Sequence, residues 1–156
     1  GFEDSVIFAT VNKLLMLKSE DEIFTTVDLC MVDVTRSRVC FTKIGAVPSV
    51  IIKSDGKAHA IKGDSLPLGI LDEVNEKSFE IDVQDGDILI MFTDGVYDAL
   101  CSRDVEIEDA VMDIVGDNRD IRSITSDIIT KCKSENDVEN KDDMTILISM
   151  FKKEKG

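Results

Sequence analysis

The sequence predicts an α+β fold built mainly on antiparallel sheet, and three observations carry that expectation. Short runs with a two-residue apolar period are joined by tight polar turns, as hairpins require. Helical spacing is confined to one segment at the front and to two near the back. A parallel, doubly wound sheet would need a helix between most successive strands, and the connections here are too short for that.

At the front, Asp4 to Lys18 places Ile7, Val11, Leu14 and Leu15 at helical spacing, with Asp4 or Ser5 as N-cap. After the acidic turn Ser19-Glu20-Asp21-Glu22, the run Phe24 to Val34 sets Val27, Leu29 and Met31 opposite Asp28, Cys30 and Val32. Val39 to Ile44 repeats that period beyond Thr35-Arg36-Ser37-Arg38, which makes a first antiparallel hairpin. Val50 to Lys53 and Ala58 to Lys62 flank Ser54-Asp55-Gly56-Lys57, whose Asp-Gly signals a two-residue turn and a second hairpin. Gly63 to Val74 is broken by proline and glycine and is expected to be a loop carrying apolar side chains inward.

Phe79, Ile81 and Val83 alternate, Gln84-Asp85-Gly86-Asp87 turns the chain, and Ile88 to Phe92 is a continuous apolar run suited to a strand covered on both faces. Two helices follow, Val105 to Val115 through Ile107, Val111, Ile114 and Val115, and Asp120 to Lys133 through Ile121, Ile124, Ile128 and Cys132. Ser134 to Lys141 is polar and expected to be a loose loop before a last strand, Met144 to Phe151. No repeat or low-complexity linker interrupts the 156 residues, which supports one domain over 1–156.

Composition narrows the function. With 43% apolar residues and only 2 prolines the chain is of the folded, globular class. A formal charge of −14 repels phosphate backbones and anionic lipid, so nucleic-acid binding and membrane-surface contact are not expected, whereas a cation or a basic partner is suited. No apolar run approaches the ~20 residues of a membrane span. Gly1-Phe2-Glu3-Asp4 has neither an initiating methionine nor a secretion signal, so residues upstream of Gly1 are expected, and the cytoplasm is the expected compartment.

Cys30, Cys40, Cys101 and Cys132 show no paired metal spacing and are expected to be buried, reduced thiols, although Cys30 and Cys40 could face each other across the first hairpin. The one histidine, His59, is expected at the surface. Any chemistry must therefore rest on carboxylates.

Two acidic clusters lie at the ends of core strands. Asp94 leaves the run Ile88 to Phe92 just before Gly95, which permits a tight turn, and Asp142-Asp143 immediately precedes the last strand, with Thr145 just inside it. Adjacent pairing of those strands would bring the carboxylates together, where like charges need a positive ion between them and hard divalent cations prefer oxygen ligands. Each cluster alone is also an ordinary turn or solvated loop. The other acids, including Glu106, Glu108, Asp109 and Asp113, suit solvated helix faces.

Asp85-Gly86-Asp87-Ile88-Leu89-Ile90-Met91-Phe92-Thr93-Asp94-Gly95-Val96-Tyr97-Asp98, followed by Asp142-Asp143-Met144-Thr145-Ile146-Leu147, resembles the C-terminal part of the bacterial metal-dependent PPM (phosphatase 2C-like) serine/threonine phosphatases. Asp28-Leu29, Gly45 to Pro48 and Leu66-Pro67-Leu68-Gly69-Ile70-Leu71 resemble the stage II sporulation branch of that family, and the motifs keep the family's order from about Leu14 to Phe151. The resemblance implies a sandwich of antiparallel sheets flanked by helices. It implies metal ligation by Asp94 and Asp142, with Asp143 in the place of an asparagine, and puts Gly95 and Gly69 near the site. It also implies hydrolysis of phosphoserine or phosphothreonine esters with two Mn2+ or Mg2+ ions, and a phosphorylated regulator of a sigma-factor pathway as substrate. The parent protein would be membrane-anchored in some members.

One departure matters. The family's Asp-Gly-Met-Gly motif, whose aspartate bridges both metals, is absent from this sequence. The resemblance therefore implies an N-terminally truncated domain of weak metal affinity and little activity, with exposed strands or the first helix able to pair with a second copy. The competing expectation is a noncatalytic module that keeps the phosphatase fold and binds a partner. A receiver domain is opposed by the hairpins, and a haloacid-dehalogenase phosphotransferase by Val96, which stands where a second aspartate is needed.

Overall fold

β-Branched and apolar alternation over short runs does produce strands here, and the turn residues between them set their antiparallel order. The computed structural model describes residues 4–17, 23–101, 105–135 and 142–153. The expected acidic turn 19–22, most of the expected loop 134–141 and the end of the first helix at Lys18 lie outside those residues, while Ser134 and Glu135 continue a helix rather than a loop. Two compact units form, one from residues 1–46 and 63–82, the other from 47–62 and 83–156.

The first unit holds helix α1 (Asp4–Leu17) and strands β1 (Val27–Asp33), β2 (Arg38–Ile44) and β5 (Lys77–Asp82) in the antiparallel order β1-β2-β5. Asp33 Oδ1 accepts the Thr35 and Arg36 amides at 3.0 Å, which turns the first hairpin. The central strand is almost wholly buried. Its Lys43 is fully covered and donates from Nζ to Asp28 Oδ2 at 2.7 Å, across the register pair Asp28↔Lys43. Burial lowers the Lys43 pKa against the opposing pull of Asp28.

Of the stripe expected to be buried on helix α1, only Leu15 packs inward. Ile7, Val11 and Leu14 are exposed, whereas Phe8 and Asn12 are buried and Leu15 packs against Ile44 and Leu68. Both stripes have the same i, i+4, i+7 spacing, shifted by one residue, so periodicity cannot rank them. Asn12 settles the choice: its Oδ1 accepts the Gly69 amide at 2.7 Å and its Nδ2 donates to the Leu71 carbonyl at 2.8 Å. The segment after Gly63 is a loop as expected, and it sends Leu68 and, partly, Val74 inward. A two-way backbone pairing of Thr25 with Leu68 fixes Leu68 against the sheet, while Leu66, Ile70 and Leu71 are exposed, against expectation.

The second unit holds β3 (Ser49–Ile52), β4 (Ala58–Ile61), β6 (Ile88–Phe92) and β7 (Ile146–Met150) in the antiparallel order β4-β3-β6-β7, with helices α2 (Asp94–Leu100), α3 (Ile107–Val115) and α4 (Ile121–Glu135). Val50, Ile52, Ile88, Ile90 and Phe92 share one face by the two-residue period, and Val96, Val111, Ile124 and Ile128 from the helices pack on it. Each such buried branched side chain contributes about 1.5–3 kcal/mol. Of the helix faces expected for α3 and α4, Ile107, Val111, Val115, Ile124, Ile128 and Cys132 are buried, whereas Ile114 is half-buried and Ile121 is exposed.

Several turns and ends correct the sequence-based expectation. The β3–β4 turn has three loop residues, since Lys53 N–H donates to the Lys57 carbonyl at 2.8 Å while Gly56 takes φ +89°. Strand β7 is shorter than expected and leaves Met144 and Thr145 before it. Cys30 stands opposite Phe41 and Cys40 opposite Met31, so the two thiols lie on opposite faces of the hairpin and cannot pair. All four cysteines are free, but only Cys132 is buried. His59 is exposed on the edge strand β4, as expected.

Candidate metal centre

The site grows out of the pairing of β6 with β7. Their register runs from Ile88↔Met150 to Phe92↔Ile146, so the exit of β6 and the approach to β7 lie side by side. The ladder continues one step beyond the strands, with Thr93 N–H donating to the Thr145 carbonyl at 3.1 Å. Asp94 then opens α2, and Asp142-Asp143 leads into Met144 and Thr145 on the neighbouring chain segment. The adjacency expected of the two clusters is the one observed.

Close approach is made by backbone. A Cβ on Gly95 would lie 2.8 Å from the Asp143 carbonyl oxygen and 3.2 Å from the Asp142 Cβ. Gly95 is therefore required for its lack of a side chain; it sits inside α2 and makes no tight turn, which corrects the expectation. Propensity opposed that outcome, since glycine disfavours helix, but Val96, Ala99 and Leu100 bury one face of α2 and carry it.

Asp94, Asp142 and Asp143 are exposed. Asp94 Oδ1 accepts the Gly95 amide at 3.0 Å and Asp142 Oδ1 accepts the Asp143 amide at 2.8 Å, which fixes one oxygen of each carboxylate. Among the described residues no lysine or arginine pairs with any of the three. An oxygen-only, cation-free, water-accessible donor set fits a hard divalent ion. It is an open set: among the described residues no group of three or more His, Cys, Asp or Glu side chains is gathered closely enough to hold a metal. Residues 94 and 142–143 are by themselves too few to complete a coordination shell.

Gly69, expected near the site, belongs to the first unit. There it takes φ +94°, and a Cβ would come within 2.4 Å of the Ile23 carbonyl oxygen, so its role is to let the loop pass the start of the sheet. The residue that sequence reasoning missed is Thr93. Its hydroxyl donates to the Asp143 carbonyl and accepts the Thr145 amide, both at 3.0 Å. A threonine before a helix start carries a visible N-cap signal, but nothing in the sequence says that its oxygen bonds across strands.

Three of the four thiols are shifted toward the protonated, unreactive form. Burial pushes the Cys101 and Cys132 thiols up, and burial followed by Asp28 and Cys40 pushes Cys30 up to about 11, so these groups stay protonated near neutrality.

A family model described as Stage II sporulation protein E matches residues 1–152. The chain belongs to the stage II sporulation protein E family. It is 40% identical over 103 residues to the stage II sporulation protein E of Priestia megaterium, an alignment covering 63% of this chain and 17% of that protein. The chain therefore spans less than a fifth of that curated relative. Its fold is that of the PP2C phosphatase domain. It matches the structure of that domain with a fragment of the regulatory domain of SpoIIE from Bacillus subtilis at a TM-score of 0.79 and 26% identity, over 97% of this chain and 45% of that one. The manganese-presoaked phosphatase domain of the same Bacillus subtilis protein matches at 0.69 and 26% identity, over 100% of this chain and 69% of that one. No described helix of this family member is long and apolar enough to cross a membrane.

Proposed function

We propose that this chain is the carboxylate-bearing part of a metal-dependent protein serine/threonine phosphatase, with Asp94 and Asp142 as ligands of a divalent ion and Asp143 beside them. The observation that carries the proposal is the meeting of Gly95 with Asp142 and Asp143, where a Cβ would be only 3.2 Å from the Asp142 Cβ. The manganese-soaked relative supports the same metal class. When bound there, Mn2+ or Mg2+ neutralises charge on a phosphoryl group and acidifies water for attack on phosphorus. The Gly95 and Asp143 amides fix one oxygen each of the Asp94 and Asp142 carboxylates, the two that would hold the ion, and Gly95 lets the two chain segments meet. Further oxygen ligands come from residues other than these and from water, so the described carboxylates alone bind metal weakly. The substrate is a phosphorylated regulatory protein of a sigma-factor pathway, acted on in the cytoplasm.

The test is Mn2+-dependent release of phosphate from a phosphoserine protein by the native gene product, compared with Asp94→Asn and Asp142→Asn. Loss of about a hundredfold or more in either variant is expected. Wild-type turnover in either variant removes that residue from the site. A second reading, a partner-binding module without catalysis, is favoured by the open carboxylate set. It predicts no Mn2+-dependent phosphate release by the native gene product.

A further inference from the structure

We infer that Thr93 is a positioning residue that sets Asp142 and Asp143 against Asp94 and so governs metal affinity; the inference rests on the metal-site reading above. Thr93 stands at the N-cap of α2 with extended backbone, φ −78° and ψ 164°, yet its side chain makes no capping hydrogen bond. At such a position a threonine hydroxyl ordinarily accepts an amide of the first helical turn. Here the oxygen is committed elsewhere, donating to the Asp143 carbonyl at 3.0 Å and accepting the Thr145 amide at 3.0 Å. With the Thr93 amide donating to the Thr145 carbonyl at 3.1 Å, three hydrogen bonds from one residue grip both sides of Met144. The side chain of Asp94 departs from the next residue, and the carbonyl that Thr93 holds belongs to Asp143, whose own amide binds the Asp142 carboxylate. One hydroxyl thus connects the two halves of the carboxylate pair without touching an ion.

A hydroxyl that both donates and accepts is needed, and serine supplies it while valine, of equal shape, does not. In the native gene product, Mn2+ affinity read by calorimetry is expected to fall about tenfold in Thr93→Val and to stay within about twofold of wild type in Thr93→Ser, the size of effect known for residues that orient metal ligands. The melting temperature without metal serves as the structural readout. Wild-type affinity in Thr93→Val, or an equal loss in Thr93→Ser, overturns the inference. Asp94→Asn and Asp142→Asn are measured alongside: if they too keep wild-type affinity, the metal-site reading fails, whereas their loss beside an unaffected Thr93→Val refutes the role of Thr93 alone. Should Thr93→Val not fold, amide exchange at Thr145 in the unmodified protein decides. Protection is expected, and exchange at the rate of an open loop overturns the inference.

Discussion

Alanine at Gly95 probes whether the site depends on backbone contact between α2 and the segment before β7. The new Cβ would stand 2.8 Å from the Asp143 carbonyl oxygen and 3.2 Å from the Asp142 Cβ. Ordinary contact begins near 3.5 Å, so the 142–143 backbone must retreat by about half an ångström. Overpacking of that kind costs about 1–3 kcal/mol. Alanine in place of a helical glycine returns up to about 1 kcal/mol. The second effect only partly offsets the first, leaving a net loss of about 0–3 kcal/mol, and melting alone discriminates poorly. Metal affinity discriminates well, because the retreat carries Asp142 away from Asp94. Calorimetric titration of the native gene product with Mn2+ is expected to show about tenfold weaker binding in Gly95→Ala. Gly116→Ala is the control: φ is +50° there and nothing lies within 4 Å of the added Cβ, so alanine strains the end of α3 without approaching the carboxylates. Wild-type Mn2+ affinity in Gly95→Ala, or an equal loss in Gly116→Ala, would refute the contact as the cause.

Asp87 is fully buried between the two turns of the second unit, its Oδ1 accepting the Ser54 amide at 2.7 Å and its Oδ2 the Gln84 amide at 2.9 Å and the Lys53 ammonium. Asp87→Ala is expected to lower unfolding free energy by about 3–5 kcal/mol in urea titrations, since it strips the acceptor from two amides and an ammonium at once; a loss under about 1 kcal/mol contradicts this. Cys30 provides a pH test. Its folded-state pKa, pushed up by burial and then by Asp28 and Cys40 to about 11, lies above the ordinary 9.0, so the folded chain keeps a proton that the unfolded chain releases. The stability it contributes is therefore whole below pH 9 and lost as pH rises through about 11. Iodoacetamide labelling followed by mass spectrometry is expected to place the Cys30 midpoint near 11, and a midpoint near 9 contradicts the burial.

The sheet framework was legible because period-two patterning and turn chemistry act locally. Val39 to Ile44 and Ile88 to Phe92 are both central strands, and the latter is covered on both faces as its unbroken apolar run requires. What failed were choices made by tertiary contact. The expected set Ile7, Val11, Leu14 and Leu15 matches the helical period as well as Phe8-Asn12-Leu15 does, and the two share only Leu15. The second is buried because Asn12 finds the Gly69 amide and the Leu71 carbonyl, partners 57 and 59 residues away. Helix α2 was invisible for a related reason, since seven residues beginning Asp94-Gly95 have weak propensity and are held by packing.

The same division runs through the candidate site. That Asp94 and Asp142 approach each other could be expected from strand ends, because it follows from pairing β6 with β7. How they are held could not, since every bond that fixes them involves backbone: the Gly95 and Asp143 amides, the Asp143 carbonyl and the Thr145 amide. Side-chain exposure would class residues 142–145 as a tolerant surface loop. The hydrogen bonds invert that ranking. Removing one hydroxyl at Thr93 or adding one methyl at Gly95 is expected to displace the 142–145 backbone, although neither change touches a carboxylate. Sensitivity at this site should therefore follow backbone contacts rather than exposure, with the small residues beside the acids as demanding as the acids themselves.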